Sequence, residues 1–255
     1  MRLTVLGSGT AIPSARRGSP AYLLESGSAV ALIDSGPGTL RQLARAGRDF
    51  RDLTDLLYTH AHPDHCLDLW ALLFASRNPR EGRGDRPLRL HGSPGFLDFY
   101  RRVSAAFGRW AEPRGYSLEE VEHRGEEVAI GLARVSGHPV RHLDSSVAYR
   151  FREPRAQGGE AVLVLSGDTD DATAMIEVAR EADVLVLECS TPDEEPIAGH
   201  LTPMGAAGIA AAADVQRLLL THLYPAADRI DVAAAVRARW PGAVETAEDF
   251  LVVEP

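Results

Sequence analysis

The sequence predicts an α+β domain in which β-sheets are covered by helices on their outer faces. Short apolar runs separated by Gly, Ser and Pro turns predict strands early in the chain, at residues 3–6, 21–24 and 29–33. Later, nearly continuous apolar runs, which are typical of buried strands, alternate with segments of helical periodicity. Strands that cluster first and then alternate with helices favour sheets with helices packed outside them.

The remaining elements follow in chain order. Apolar side chains at helical spacing predict a helix over residues 37–46, and a strand over 53–58 leads into His60. Apolar residues recur at spacings of three and four after Asp64, which predicts a second helix with Asp64 as its N-cap. Further segments are predicted as strands at 161–165, 184–187, 217–220 and 250–253, and as helices at 172–180, 203–213 and 231–239.

Composition limits the class of protein. No linker or low-complexity segment divides residues 1–255, which predicts a single domain. No apolar run has the length of a membrane helix, no secretory signal opens the chain, and the two cysteines are too few for a disulfide framework. A cytoplasmic protein without a membrane partner is expected.

Charge argues against binding nucleic acid mainly through its phosphates. The net charge is −9, and an acidic protein repels the phosphate backbone of nucleic acid. All 27 basic residues are arginine. Residues 77–114 run against this balance, because arginines outnumber acidic residues there. Such a run forms either a solvated face or a patch for an anionic substrate.

Four potential metal ligands lie in the segment Thr59-His60-Ala61-His62-Pro63-Asp64-His65. In extended backbone His60 and His62 point the same way, and Pro63 biases His62 toward that conformation. A turn then lets Asp64 and His65 approach a second ion about 4 Å away. Imidazole and carboxylate ligands suit Zn²⁺ or a similar divalent ion. The spacing, directly after a buried strand, predicts a metal site rather than a chance cluster in a loop.

This motif resembles the signature of the metallo-β-lactamase superfamily, and the chain resembles its ribonuclease Z-like branch over nearly its whole length. Further similar motifs occur in the same order, at Leu6–Thr10, Asp34–Thr39, Pro139–His142, Ser166–Thr169 and Leu220–His222. The resemblance implies a four-layer αβ/βα sandwich, with two mixed β-sheets and helices on the outer faces. It also implies a dinuclear, metal-dependent hydrolase with two divalent ions, of which Zn²⁺ is expected and Mn²⁺ is the alternative.

The resemblance assigns the ligands to two ions. His60, His62 and His142 would hold one ion, Asp64, His65 and His222 the other, and Asp168 would bridge them. A water shared by two Lewis acids loses a proton near neutral pH and becomes a nucleophile. Asp34 would orient a ligand histidine or its loop, unless it is merely a turn residue.

Two further residues match a carboxylate–histidine pair of ribonuclease Z-like enzymes. Glu188 ends a buried strand and His200 precedes a helix, so that His200 could stabilise phosphoryl charge or protonate the leaving oxygen. Together with Asp64 they form the expected catalytic set. His91 and His123 are expected to be surface or loop residues.

Departures from the branch point to a smaller substrate. Only about ten residues, 152–161, lie where ribonuclease Z inserts the arm that grips tRNA. We therefore expect a phosphodiesterase that acts on a small phosphodiester or short nucleic acid, with tRNA disfavoured. By analogy with the branch, a homodimer is possible. The alternatives are a lactonase, arylsulfatase or other esterase on the same ions, a di-iron redox relative, and a non-catalytic metal-binding or cofactor-handling protein.

Overall fold

Two β-sheets of seven strands each form the centre of the computed structural model, which describes Met1–Pro255. The first sheet contains β1 (Arg2–Gly7), β2 (Ala21–Ser26), β3 (Ala29–Ile33), β4 (Asp55–Leu57), β5 (Leu88–Gly92), β6 (Leu118–Glu122) and β14 (Val252–Val253), in the order β14-β1-β2-β3-β4-β5-β6. The second contains β7 (Val128–Ile130), β8 (Ala133–Pro139), β9 (Val147–Pro154), β10 (Glu160–Leu165), β11 (Val184–Glu188), β12 (Arg217–Thr221) and β13 (Ala243–Thr246), in the order β13-β12-β11-β10-β9-β8-β7.

Both sheets are mixed. In the first sheet β14, β1, β2 and β3 pair antiparallel, whereas β3 to β6 pair parallel. In the second, β7 to β10 pair antiparallel and β10 to β13 pair parallel. Parallel strands place their carboxyl ends at one edge of each sheet, which is where ligands bind in many α/β proteins.

Helices cover the outer faces of both sheets. They are α1 (Thr39–Arg45), α2 (Pro63–Cys66), α3 (Asp68–Ser76), α4 (Pro94–Phe107), α5 (Ala172–Ala179), α6 (Pro203–Ala212) and α7 (Val232–Arg237). Strand side chains alternate between layers, so that Leu57 packs between the sheets while Leu56 packs under the helices of the first sheet. The predicted four-layer sandwich is confirmed. No helix is both long enough and apolar enough to span a membrane.

The helical region after the metal motif differs from the prediction. The predicted single helix is two, α2 and α3, and the chain turns between them at Leu67. The N-cap of α2 is His62 rather than Asp64, because Pro63 occupies the first helical position with its fixed φ. Asp64 instead lies inside the first turn, where its side chain faces the other candidate ligands.

Candidate metal centre

The seven predicted ligands converge where the two sheets meet, at the carboxyl ends of strands. The first four follow β4, His142 follows β8, Asp168 follows β10 and His222 follows β12. Side chains that are far apart in sequence therefore share one site because these strands end at the same edge of the sandwich. His222 adopts a positive φ of 55°, a strained conformation that is common at functional sites.

The candidate donor atoms form three overlapping groups. His60, His62, His142 and Asp168 place one donor atom each within 4.8 Å of one another, and Asp64, His65 and His222 do the same. In the first group, His62 Nδ1 lies 3.1 Å from both His60 Nε2 and His142 Nε2. In the second, the Nε2 atoms of His65 and His222 are 3.3 Å apart. These two groups contain the residues that the resemblance assigned to each ion, and the third consists of Asp168, His200 and His222; metal binding by them stays a prediction.

Asp168 lies between the two groups. Its Oδ1 is 3.3 Å from His65 Nε2, and its Oδ2 is 3.3 Å from His222 Nε2 and 3.7 Å from His60 Nε2. Oδ1 is buried and accepts no well-formed hydrogen bond. A buried carboxylate oxygen without a partner is costly, and a cation would satisfy it. The residues present therefore fit divalent cations.

The candidate ligands differ in protonation. Burial would lower the pKa of His65, but Asp168 and Asp34 outweigh it and raise that pKa well above its ordinary value, so a cation would displace a proton from His65. Burial holds the pKa of His60 well below its ordinary value, with the neighbouring His65 adding to the effect, so His60 is a neutral imidazole. Burial would raise the pKa of Asp168, but His222 and His65 outweigh it and hold that pKa well below its usual range. Neutral imidazole and ionised carboxylate are the ligand forms of these side chains.

Asp34 fixes one ligand histidine and the loop before it. It accepts hydrogen bonds of 2.8 Å from the backbone N–H and the hydroxyl of Thr59, and its Oδ2 lies 2.8 Å from His65 Nδ1. Because Asp34 accepts from Nδ1 of His65, the Nε2 atom, which faces Asp168 and His222, is the one that a cation could bind. The buried Asp34 performs both of the tasks that the sequence suggested.

The pair Glu188–His200 adjoins this cluster. His200 Nδ1 lies 3.1 Å from Glu188 Oε1, and the His200 ring stacks 5.4 Å from that of His222. Burial would lower the pKa of His200, but the hydrogen bond and charge of Glu188 outweigh burial and raise it. Glu188 itself is buried and accepts from the backbone N–H groups of Thr169 and Leu201.

Sequence reasoning overlooked Ser190. Its hydroxyl donates to Glu188 Oε2 at 2.6 Å and lies 3.0 Å from His222 Nδ1, so it links the carboxylate–histidine pair to a candidate ligand. The available signal was its position two residues beyond β11, where small polar side chains enter the site. The same hydroxyl lies 3.3 Å from His200 Nδ1.

Two further predictions concern histidines and arginines outside the cluster of candidate ligands. The prediction that His91 and His123 are surface or loop residues is wrong for His91, which is buried in β5; His123 lies in the loop after β6, although it is buried there and bonded to His91. Several arginines of residues 77–114 have structural roles: Arg83 is buried and donates to backbone carbonyls, and Arg89 pairs with Asp55. Arg77 lies over Trp110. These contacts favour a role in folding over an anion patch.

Comparison with known proteins places the fold and its site in a family. Residues 31–223 match the model of the beta-lactamase superfamily domain. The chain belongs to this superfamily. A ribonuclease Z of Bradyrhizobium diazoefficiens is 32% identical, and the match covers 98% of this chain and 99% of the relative. The prediction of a metal-dependent hydrolase of the superfamily's ribonuclease Z-like branch is confirmed.

Two solved structures of the superfamily share the fold. The metallo-beta-lactamase fold protein YhfI of Bacillus subtilis aligns with a TM-score of 0.85 at 22% identity and covers 100% of this chain and 99% of that protein. The short form of human tRNase Z aligns with a TM-score of 0.73 at 23% identity and covers the same shares. Both proteins therefore share the fold of this chain over nearly their whole length.

Proposed function

We propose that the chain is a phosphodiesterase with two divalent ions, Zn²⁺ or Mn²⁺, that cleaves a small phosphodiester or short nucleic acid. The observation that carries this proposal is the Glu188–His200 pair beside two groups of metal-ligating side chains. A hydrolase with two cations needs no further acid for a good leaving group. A carboxylate-bound histidine is useful when the leaving oxygen is strongly basic or the phosphoryl oxygens need charge stabilisation.

The proposed division of the ligands follows the geometry. His60, His62 and His142 would hold one ion, and Asp64, His65 and His222 the other. Asp168 would contact both. When bound, the ions supply Lewis acidity toward the phosphoryl oxygens and activate water. Imidazole nitrogens with carboxylate oxygens suit zinc, and manganese tolerates the same donors.

His200 has the protonation state that the proposed role needs. Its Nδ1 faces Glu188, so its Nε2 is the atom available to a substrate. Glu188 raises the pKa of His200 in the metal-free protein and would oppose the lowering of that pKa by nearby cations. Glu188 is held by backbone N–H groups and by Ser190, which fixes the ring's orientation before substrate arrives.

The short connection after β9 supports a small substrate. Residues 155–159 form a tight hairpin in which Arg155 N–H donates to the carbonyl of Gly159. No arm projects between β9 and β10, which is where the resemblance placed a tRNA-gripping segment. We therefore propose that tRNA is not the main substrate.

A second copy of the chain is the proposed partner. Apolar side chains that are about half exposed surround a cavity of about 510 Å³: Leu67, Phe74, Phe107 and Trp110. Contiguous apolar surface of this kind is characteristic of interfaces. This surface is formed by α3, α4 and the residues next to them.

Hydrolysis of two phosphodiesters tests the proposed activity. Zn- or Mn-loaded protein should cleave bis(p-nitrophenyl) phosphate, and Asp168→Ala should abolish turnover. His200→Ala should lower kcat by roughly 100-fold or more on dithymidine monophosphate, whose leaving group is an alkoxide, and by less on the nitrophenyl ester. A larger loss of kcat on dithymidine monophosphate than on the nitrophenyl ester would identify His200 as the proton donor to the leaving oxygen.

The matched control is His138→Ala. His138 lies in β8, four residues before His142, and bonds to Ser136 instead of the cluster. It should leave both rates unchanged. A metal-loaded protein without activity on either diester, but active on lactones or sulfate esters, would overturn the phosphodiesterase proposal.

A further inference from the structure

A groove leads away from the candidate metal centre along α1. One cavity of about 470 Å³ is lined by Pro63 and Asp64, and the next, of about 460 Å³, by Arg41, Arg45 and Phe250. The two cavities share Ser14, Arg17, Gly18 and Pro37 as lining residues. They therefore form one continuous groove that begins at a candidate ligand.

The far part of the groove has cations without fixed partners. Arg41 is exposed and makes no hydrogen bond or ion pair, and Arg45 bonds only to Gln42 Oε1, at 2.6 Å. These residues lie one helical turn apart, about 6 Å along α1. Arg16 lies opposite them and is 3.8 Å from Glu248, an exposed pair of low energetic value.

Other charged residues in the groove are already hydrogen-bonded. Arg17 is buried, bonds to Asp228 and donates to the backbone of Ala247. Asp249 accepts from the backbone N–H groups of Ser8 and Gly18 and from Gln42. The Asp249 carboxylate is thus satisfied by neutral donors and has no ion-pair partner, and Arg17 keeps only one free N–H. The far cavity is nevertheless lined by four arginines against two acidic residues, Glu248 and Asp249, so its lining is positive although the whole protein has a net charge of −9.

Phe250 adds an aromatic surface. It has a φ of 70°, which is costly for a residue with a side chain, and its N–H donates to Val5. The Arg45 guanidinium lies 4.7 Å from the centre of its ring. A phenyl ring and a guanidinium beside each other can bind a planar base by stacking and a phosphate by charge.

We propose that this groove binds the non-reacting part of a single-stranded oligonucleotide substrate, with a phosphate at Arg41 and Arg45 and a base at Phe250. The inference rests on the proposed phosphodiesterase activity and names its substrate class. Arginine guanidinium groups bind phosphate through paired hydrogen bonds. A substrate with phosphates beyond the scissile one should therefore bind more tightly than a simple diester.

Binding of labelled tetrathymidylate, measured by fluorescence anisotropy with a chelator that prevents turnover, tests the groove. Arg41→Ala/Arg45→Ala should weaken binding about ten-fold and reduce the slope of log Kd against log salt by about 1.4, which is the value for two phosphate contacts on a single strand. Phe250→Leu should weaken the binding of tetrathymidylate but leave the binding of an abasic tetramer unchanged.

Arg48→Ala is the matched control, since Arg48 is an exposed arginine nearby that pairs with Glu25 outside the groove. Binding that the double variant leaves unchanged, or that Arg48→Ala weakens equally, would overturn the inference. Turnover of bis(p-nitrophenyl) phosphate, which has no second phosphate, should be the same in all these variants. If the wild type binds the tetramer through Arg41 and Arg45 but cleaves no diester, the groove stands and the phosphodiesterase proposal fails.

Discussion

Asp55, His91 and His123 form a buried chain of hydrogen bonds between the sheets. His91 Nε2 lies 2.8 Å from Asp55 Oδ1, and His91 Nδ1 lies 3.2 Å from His123 Nε2. A carboxylate can only accept hydrogen bonds, so His91 donates to Asp55 from Nε2. His91 Nδ1 is then the acceptor of the next bond, and His123 donates to it from its own Nε2. His123 Nδ1 is left buried without a partner. A second proton on His123 would therefore enter a site that has no acceptor.

The stability of the protein should fall in mild acid because of His123. Burial is the main cause that lowers the pKa of His123 from 6.5 to about 4. Between about pH 6.5 and pH 4, His123 is protonated in the unfolded chain but neutral in the folded chain. The free energy of unfolding therefore decreases as the pH is lowered through this range. From about pH 7 to about pH 5 the loss is on the order of 2 kcal/mol.

Urea unfolding of metal-free protein at these two pH values measures the loss. His123→Gln is the control, since its amide can still donate to His91 but cannot titrate. The variant should lose less stability than the wild type over the same pH interval. An identical loss in both proteins would show that other groups cause the acid sensitivity.

At the scale of elements, α2 packs directly on the loop that follows β3. Ser35 N–H donates to the carbonyl of His65 at 2.6 Å, and Asp68 N–H donates to Ser35 at 2.9 Å. A Cβ atom added to Gly36 would lie 1.7 Å from the carbonyl oxygen of Asp64. The absence of a side chain at Gly36 therefore sets the position of two candidate ligands.

Gly36→Ala should displace α2 and disrupt the second group of ligands. We expect a destabilisation of about 3 kcal/mol, as for overpacked cores, and a loss of one of two bound ions by metal analysis. Gly38→Ala is the control: Gly38 has a φ of 90°, but nothing lies within 4 Å of its added Cβ. It should cost about 1 kcal/mol from backbone strain and keep both ions. Equal metal content in the two variants would contradict the prediction.

Strands with apolar side chains between turn residues could be predicted from the sequence, whereas strands with mostly polar side chains could not. Strand β3 agrees with the predicted range because its apolar run is bounded by turn residues. Strand β6 was not predicted, because three of its five residues are glutamate and none of its side chains is buried. The predicted strand 250–253 is reduced to β14, since the positive φ of Phe250 interrupts extended backbone. Whether such a segment forms a strand depends on which other strands it pairs with, and this pairing cannot be read from a single sequence.

The candidate site was more predictable than the fold around it. His60, His62, Asp64 and His65 lie close in sequence, and His142, Asp168 and His222 each fall in a similar motif. Ser190 and the buried His91–His123 pair could not be predicted in this way. Their roles depend on which strands become neighbours, and no local spacing encodes that.

At the scale of the whole molecule, the apolar surface on α3 and α4 predicts self-association. Light scattering should give a dimer for the wild type and a monomer for Phe74→Glu, because a charge cannot be buried there without a partner. Phe74 is 57% exposed in the single chain, so the substitution should leave the circular dichroism spectrum of the monomer unchanged. Met204→Glu, at a 60% exposed position on α6, is the control and should remain dimeric. A wild-type monomer would contradict the proposal.

The division of the ligands between two sheets has a consequence for folding kinetics. His60 to His65 belong to the first sheet, and His142, Asp168 and His222 to the second. Contacts between such distant parts of a chain form late, because closing the loop costs entropy before any contact compensates for it. During refolding, backbone structure within each sheet should therefore recover first, and the ability to retain metal should return only after the sheets have docked.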